Sequence, residues 1–208
     1  MMVPCWILLA LSLTAGAGDI AATVREPSGK PVADAVVFVY EVAGATFTAP
    51  AAPAVMDQID REFVPHVLPV LAGTRVRFPN KDNVHHQIYS FSKAKTFELP
   101  LYKDREPQAI LMDVSGVVSL GCNIHDWMRG YVLVLDNPYF AKTGADGGAV
   151  LTGVPEGTYR VAVWSERMKE PVEETIQKVT VGAGRMSIRF PPKLGPVRKR
   201  QRHVVIDY

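Results

Sequence analysis

After its first seventeen residues the chain shows no sustained helical period, and short strand signals recur between turns instead. Ile20-Ala-Ala-Thr-Val-Arg25 is one strand, closed by the turn Pro27-Ser-Gly-Lys-Pro31. Ala35-Val-Val-Phe-Val-Tyr40 is a second, and Thr74-Arg-Val-Arg-Phe78 alternates apolar and charged positions. Ile110-Leu-Met-Asp-Val114, the turn Ser115-Gly116 and Val117-Val-Ser-Leu120 read as a hairpin running into Cys122. Tyr131-Val-Leu-Val-Leu135, Thr158 to Trp164, Lys178 to Val181 and Met186 to Phe190 complete the set. Many short strands at this spacing predict an all-β protein built of sandwiches or barrels.

Three segments fall outside that pattern. Ala43 to Ala54, rich in Ala, Pro, Thr and Gly, reads as a linker. Residues 1–17 read as an export signal: Trp6 to Leu13 is an apolar run, and Ala15-Gly16-Ala17 is a small-residue cleavage site. The run is too short to span a membrane. The region before it lacks Lys and Arg, which is atypical. Residues 191–208 form a basic flexible tail containing Arg198-Lys-Arg-Gln-Arg202.

Charge and cysteine usage narrow the function. The chain's formal charge is +2, and the tail alone carries five basic residues and one acid, which leaves −2 on residues 18–190. That balance argues against a nucleic-acid footprint over the chain as a whole, and the positive tail suits contact with an acidic partner or an anionic membrane surface. Of the two cysteines, Cys5 leaves with the signal. Cys122 is then the only thiol of a protein expected in the periplasm, where thiols usually pair, and metal ligation would both protect and employ it.

Cys122-Asn-Ile-His125-Asp-Trp-Met128 puts a thiol, an imidazole and a thioether within seven residues. Soft sulfur ligands favour copper, and a blue-copper site joins two imidazoles and a thiolate to a weak axial Met. A structural zinc prefers more cysteines or an all-His set. The second imidazole has four candidates: His66, His85, His86 and His203.

Asn80-Lys-Asp-Asn-Val-His85-His86 follows the strand ending at Phe78, and His86 begins a further strand, His86-Gln-Ile-Tyr89. Phe-x-Asn, then an acid and a His, with Cys-x-x-His-x-x-Met downstream, resembles the cupredoxin family over about residues 55–136. The two-residue gap before Met128 is most similar to amicyanin, and less so to plastocyanin-type loops. The resemblance implies one type 1 copper ion held by His86, Cys122, His125 and Met128. His85 is the competing upstream ligand. Asn80 matches the family's asparagine, which would tie the two ligand loops together. His85, Gln87 and Trp127 depart from the usual amicyanin-like residues, and Phe91 to Tyr102 is a less usual insertion.

Gly29-Lys-Pro-Val-Ala-Asp-Ala-Val-Val37 resembles the opening of a carboxypeptidase regulatory-like β-sandwich, and Ala145 to Val161 its later part. The expected architecture is therefore a cupredoxin Greek-key β-sandwich, residues 51–138, inserted into or packed beside a second small β-sandwich made of residues 18–50 and 139–190. Alternatively, the N-terminal strands simply extend the cupredoxin. The combination is similar to periplasmic proteins of the methylamine-utilization type. It implies a non-enzymatic one-electron carrier that meets a redox partner protein, with His125 near the surface and Trp127 in the docking patch. A copper trafficking or sensing module without electron transfer is the alternative. The second sandwich would serve as scaffold or docking unit.

Overall fold

The computed structural model describes residues 16–197. Most of the expected export signal, Cys5, the Arg198–Arg202 run and His203 lie outside the described residues. The described residues begin with β1 (Ala17–Val24), β2 (Val36–Val39), β3 (Ala54–Val55), β4 (Asp57–Ile59), β5 (Glu62–Val64) and β6 (Val67–Leu71). Next come β7 (Thr74–Arg77), β8 (Ile88–Ser92), β9 (Lys95–Glu98), β10 (Ile110–Met112), β11 (Gly116–Cys122) and β12 (Arg129–Leu135). β13 (Phe140–Lys142), β14 (Gly148–Pro155), β15 (Gly157–Trp164), β16 (Gln177–Val181) and β17 (Gly184–Phe190) finish it. The only helical piece among the described residues is a 3₁₀ turn at Val172–Thr175.

The protein is all-β, and its sheets stack in four layers. The first has the order β14-β1-β17, the second β13-β2-β15-β16, the third β6-β12-β11-β8-β9 and the fourth β10-β7-β3. The first two layers draw only on strands from the two ends of the described chain. The other two draw only on strands between β3 and β12. β4 and β5 form a separate hairpin.

Alternation of side chains along a strand explains the stacking. Ile20, Ala22 and Val24 of β1 meet Val37 and Val39 of β2 and Val161 and Val163 of β15 in the core between layers one and two. Val132 and Val134 of β12 join Met56, Phe63, Phe78, Ile88, Met112 and Val118 in the core around layers three and four. The neighbouring residues on the same strands point the other way. Val36, Phe38, Ala162 and Trp164 face Val67, Leu133 and Leu135, and this third cluster joins layer two to layer three. Strands β2 and β12 therefore bury both faces, which is why their sequences run apolar instead of alternating.

Three local expectations change. Ile110 to Leu120 is not a hairpin: β10 pairs with β7 in layer four, whereas β11 pairs with β12 and β8 in layer three. Asp113–Ser115 is thus a corner between sheets, and Gly116 supplies the positive φ of 138° that turns the chain into β11. The stretch read as a linker ends in structure, since Ala54–Val55 is β3, paired parallel to β7. His86 does not open a continuous strand; it forms an isolated bridge with Tyr102, and β8 starts at Ile88.

Candidate metal centre

Two segments of layer three bring the chemistry together. β11 ends at Cys122, whose Cα partner is Ile88 at the start of β8. The loop from Asn123 to Met128 then turns back into β12, tightened by the Met128 N–H donating to the His125 carbonyl at 2.9 Å. His86 lies just before β8. Its backbone N–H and C=O both bond Tyr102, each at 3.0 Å, so the insertion returns to brace the ligand segment.

His86, Cys122 and His125 converge, all three buried. Cys122 Sγ lies 3.7 Å from His86 Nδ1 and 3.7 Å from His125 Nδ1, and the two Nδ1 atoms are 3.2 Å apart. The centre of that triangle lies about 2 Å from each atom, the length of a metal–imidazole bond and slightly short for a metal–thiolate bond of about 2.3 Å. The donor set therefore fits a trigonal His₂Cys metal site, the arrangement that suits copper.

Met128 is 1% exposed and belongs to the same apolar cluster as Cys122. His85 is exposed, whereas His86 is fully buried, so only His86 faces Cys122. His66 is elsewhere, paired with Glu166 at 3.1 Å and edge-on to Tyr131.

The electrostatics favour a thiolate. Burial opposes charge on Cys122, but the His86 ring and the N–H groups of Gln87, Ile124 and His125 outweigh it and hold the thiol below its ordinary range. Burial likewise favours a neutral His86, yet Cys122 and Asp82 together raise its pKa. At Asp82 burial is again outweighed, by the N–H groups of Arg61 and Asp60 and by His86, so its carboxyl sits below the usual carboxylate range. Metal entering such a site displaces a proton.

Two expectations about the surroundings are corrected. Asn80 does not tie the two ligand loops together: its Nδ2 donates to the Val84 and Tyr102 carbonyls and its Oδ1 accepts from Asp82 N–H. The clamp is formed by Gln87 and Asn123, whose backbone N–H donates to the Gln87 carbonyl at 3.0 Å and whose Nδ2 donates to Gln87 Oε1 at 3.1 Å. His125 is itself buried, 3% exposed, although Ile124 and Asp126 on either side of it are exposed, and the Trp127 ring lies 5.5 Å from its own.

Sequence reasoning passed over Asp82, whose Oδ2 lies 2.8 Å from His86 Nε2, and Tyr102, whose hydroxyl donates to the Phe78 carbonyl at 2.6 Å. The only sequence signal for Asp82 was its place as the acid in the upstream motif.

The chain matches no protein-family profile and no curated protein. Among solved structures it is similar to an amicyanin variant in its Cu(I) state, at 19% identity over 41% of this chain and 85% of that one, with a TM-score of 0.37. An oxidised amicyanin variant is similar at 21% identity over 55% of this chain and 97% of that one, TM-score 0.36. The copper-containing nitrite reductase of Thermus scotoductus SA-01 is similar at 22% identity over 57% of this chain and 28% of that one, TM-score 0.40. In each case the similarity is confined to part of this chain.

Proposed function

We propose that this chain is a type 1 copper protein that carries single electrons in the periplasm, with one copper ion held by His86, Cys122, His125 and, axially, Met128. The observation that carries this reading is the triangle of Cys122 Sγ and two imidazole Nδ1 atoms at metal-bonding spacing in a buried pocket. Bound copper would supply a one-electron Cu(II)/Cu(I) couple. The protein's part is to hold the ligands still: the β11–β12 loop is clamped to the His86 segment by Gln87 and Asn123, and His86 is bridged to Tyr102. A pocket that changes little between oxidation states keeps reorganisation small. With Met128 in the axial position no site would remain for substrate, so the chain is read as a carrier and not an enzyme. Strands from the two chain ends would form a scaffold into which the copper-binding unit is inserted, and the redox partner would be another protein.

Loading with Cu(II) tests this. A strong thiolate-to-copper absorption band, absent in Cys122→Ser, is the expected result; a colourless Cu(II) protein overturns it. One observation favours a second reading. The burial of His125, with the Trp127 ring beside it, suits a module that holds or delivers copper without passing electrons. Slow electron exchange at an electrode, with Cu(I) bound tightly, would select that alternative.

A further inference from the structure

The upstream ligand is oriented by a residue of its own loop, Asp82, which the β4–β5 hairpin anchors in turn. His86 Nδ1 points at Cys122 and His125, while its far nitrogen, Nε2, lies 2.8 Å from Asp82 Oδ2. The His86 side chain is fully buried and that of Asp82 only 10% exposed, so little water competes for this contact. The carboxylate is itself anchored. Asp60 N–H donates to its Oδ1 at 2.6 Å and Arg61 N–H to its Oδ2 at 2.9 Å.

These two donors come from the tip of the β4–β5 hairpin. Asp60 and Arg61 both have left-handed backbones, φ 55° and 59°, which non-glycine residues rarely adopt. That conformation turns two successive N–H groups to the same side, a concavity suited to an anion. The Asp82 backbone is fixed as well, its N–H donating to Asn80 Oδ1 at 2.9 Å, with Asn80 held to Val84 and Tyr102. Hydrogen bonds on both carboxylate oxygens and on the Asp82 N–H therefore hold the carboxylate beside His86.

We propose that Asp82 is a positioning residue of the metal centre: its carboxylate, cradled by the Asp60–Arg61 turn, accepts the Nε2–H of His86, fixes the ring's plane and tautomer, and leaves the Nδ1 lone pair for the metal. This role presupposes the metal centre itself. A carboxylate on the far nitrogen makes an imidazole a more basic ligand. Such a ligand favours Cu(II) over Cu(I), so Asp82 lowers the reduction potential. Losing such a partner costs about 10–100-fold in metal affinity. A tenfold loss confined to Cu(II) raises a one-electron potential by about 59 mV.

The experiment compares the full-length protein with Asp82→Asn and Asp82→Ala in three ways: Cu(II) affinity, reduction potential, and exchange of the His86 Nε2–H in the diamagnetic Cu(I) form by NMR. Asn keeps the shape and an accepting oxygen but loses the charge, so affinity falls and potential rises while the Nε2–H persists. Ala also loses the acceptor, and its Nε2–H exchanges freely. Lower melting temperatures with unchanged affinity, potential and exchange would reduce Asp82 to a structural residue and overturn the proposal. Failure of the copper reading looks different: the wild type lacks the charge-transfer band. In that case a tenfold or greater loss of Zn(II) affinity in Asp82→Ala still supports the positioning role, and unchanged Zn(II) affinity overturns it.

Discussion

Gly130→Ala places one methyl group where the structure has no room for it. Gly130 is buried in β12, opposite Leu120 of β11. A Cβ there would lie 2.8 Å from Phe63 Cβ and 3.0 Å from its Cγ and Cδ2. Phe63 is 2% exposed in the core that also holds Cys122 and Met128. The nearest atom is a Cβ, fixed to the backbone, so rotating the ring relieves nothing and β5 itself must move. Overpacking of this kind costs about 1–3 kcal/mol. For a chain of this length each kcal/mol lowers the melting temperature by about 2–4 °C, so the variant should melt about 2–12 °C below wild type. Gly182→Ala is the control: a Cβ there meets nothing within 4 Å and the backbone is not left-handed. It should be neutral or, by restricting the unfolded chain, stabilising by up to about 1 kcal/mol. Thermal melts of the metal-free protein, followed by circular dichroism, measure both. If Gly130→Ala melts at or above the wild-type temperature, or Gly182→Ala loses as much, the packing account is wrong.

Trp127→Ala removes the ring that lies 5.5 Å from that of buried His125 and should speed removal of bound metal by an external chelator; an unchanged rate would mean that the ring shields nothing. The hydrogen bond from Lys95 holds the Asp113 carboxyl below its ordinary pKa. A depressed carboxylate contributes stability above its unfolded value, and that contribution is lost as pH falls through the folded value. In Lys95→Ala the Asp113 titration followed by NMR should shift upward toward the ordinary carboxylate range; a titration that stays put would show that Lys95 is not its cause.

The strands with long apolar or alternating runs, such as Tyr131 to Leu135 and Thr158 to Trp164, were legible because periodicity records burial directly. Four of the strands of two or three residues, β3, β4, β5 and β13, were not, since so few residues carry no period. The β4–β5 turn was hidden for a chemical reason. Its left-handed pair is Asp60-Arg61, not the Asn-Gly or Asp-Gly that announces such a turn. Cys122 and His125 were visible because a thiol, an imidazole and a thioether fall within seven residues of one loop, and the upstream motif singled out His86. The contacts that hold these residues use common residue types: Asp82 meets His86 within one irregular loop that carries no period, and Gln87 meets Asn123 across two loops whose approach only the folded sheets decide. The corner at Asp113–Ser115 was misread because a turn between two strands looks the same whether they pair with each other or separate into different sheets.

The position of β1 has a consequence for synthesis. Its partners are β14, antiparallel, and β17, parallel, so the earliest strand of the described chain completes its pairing only with the latest. A ribosome delivers the chain from its N-terminus, and β3 to β12 can pair among themselves long before β17 exists. For that interval β1 is an unpaired apolar edge, the kind of segment that invites aggregation. Closure of this sheet is therefore a late, non-local event, slow by nature because nearly the whole described chain must be looped to achieve it. Any factor that shelters nascent chains would find its natural target in Ala17–Val24.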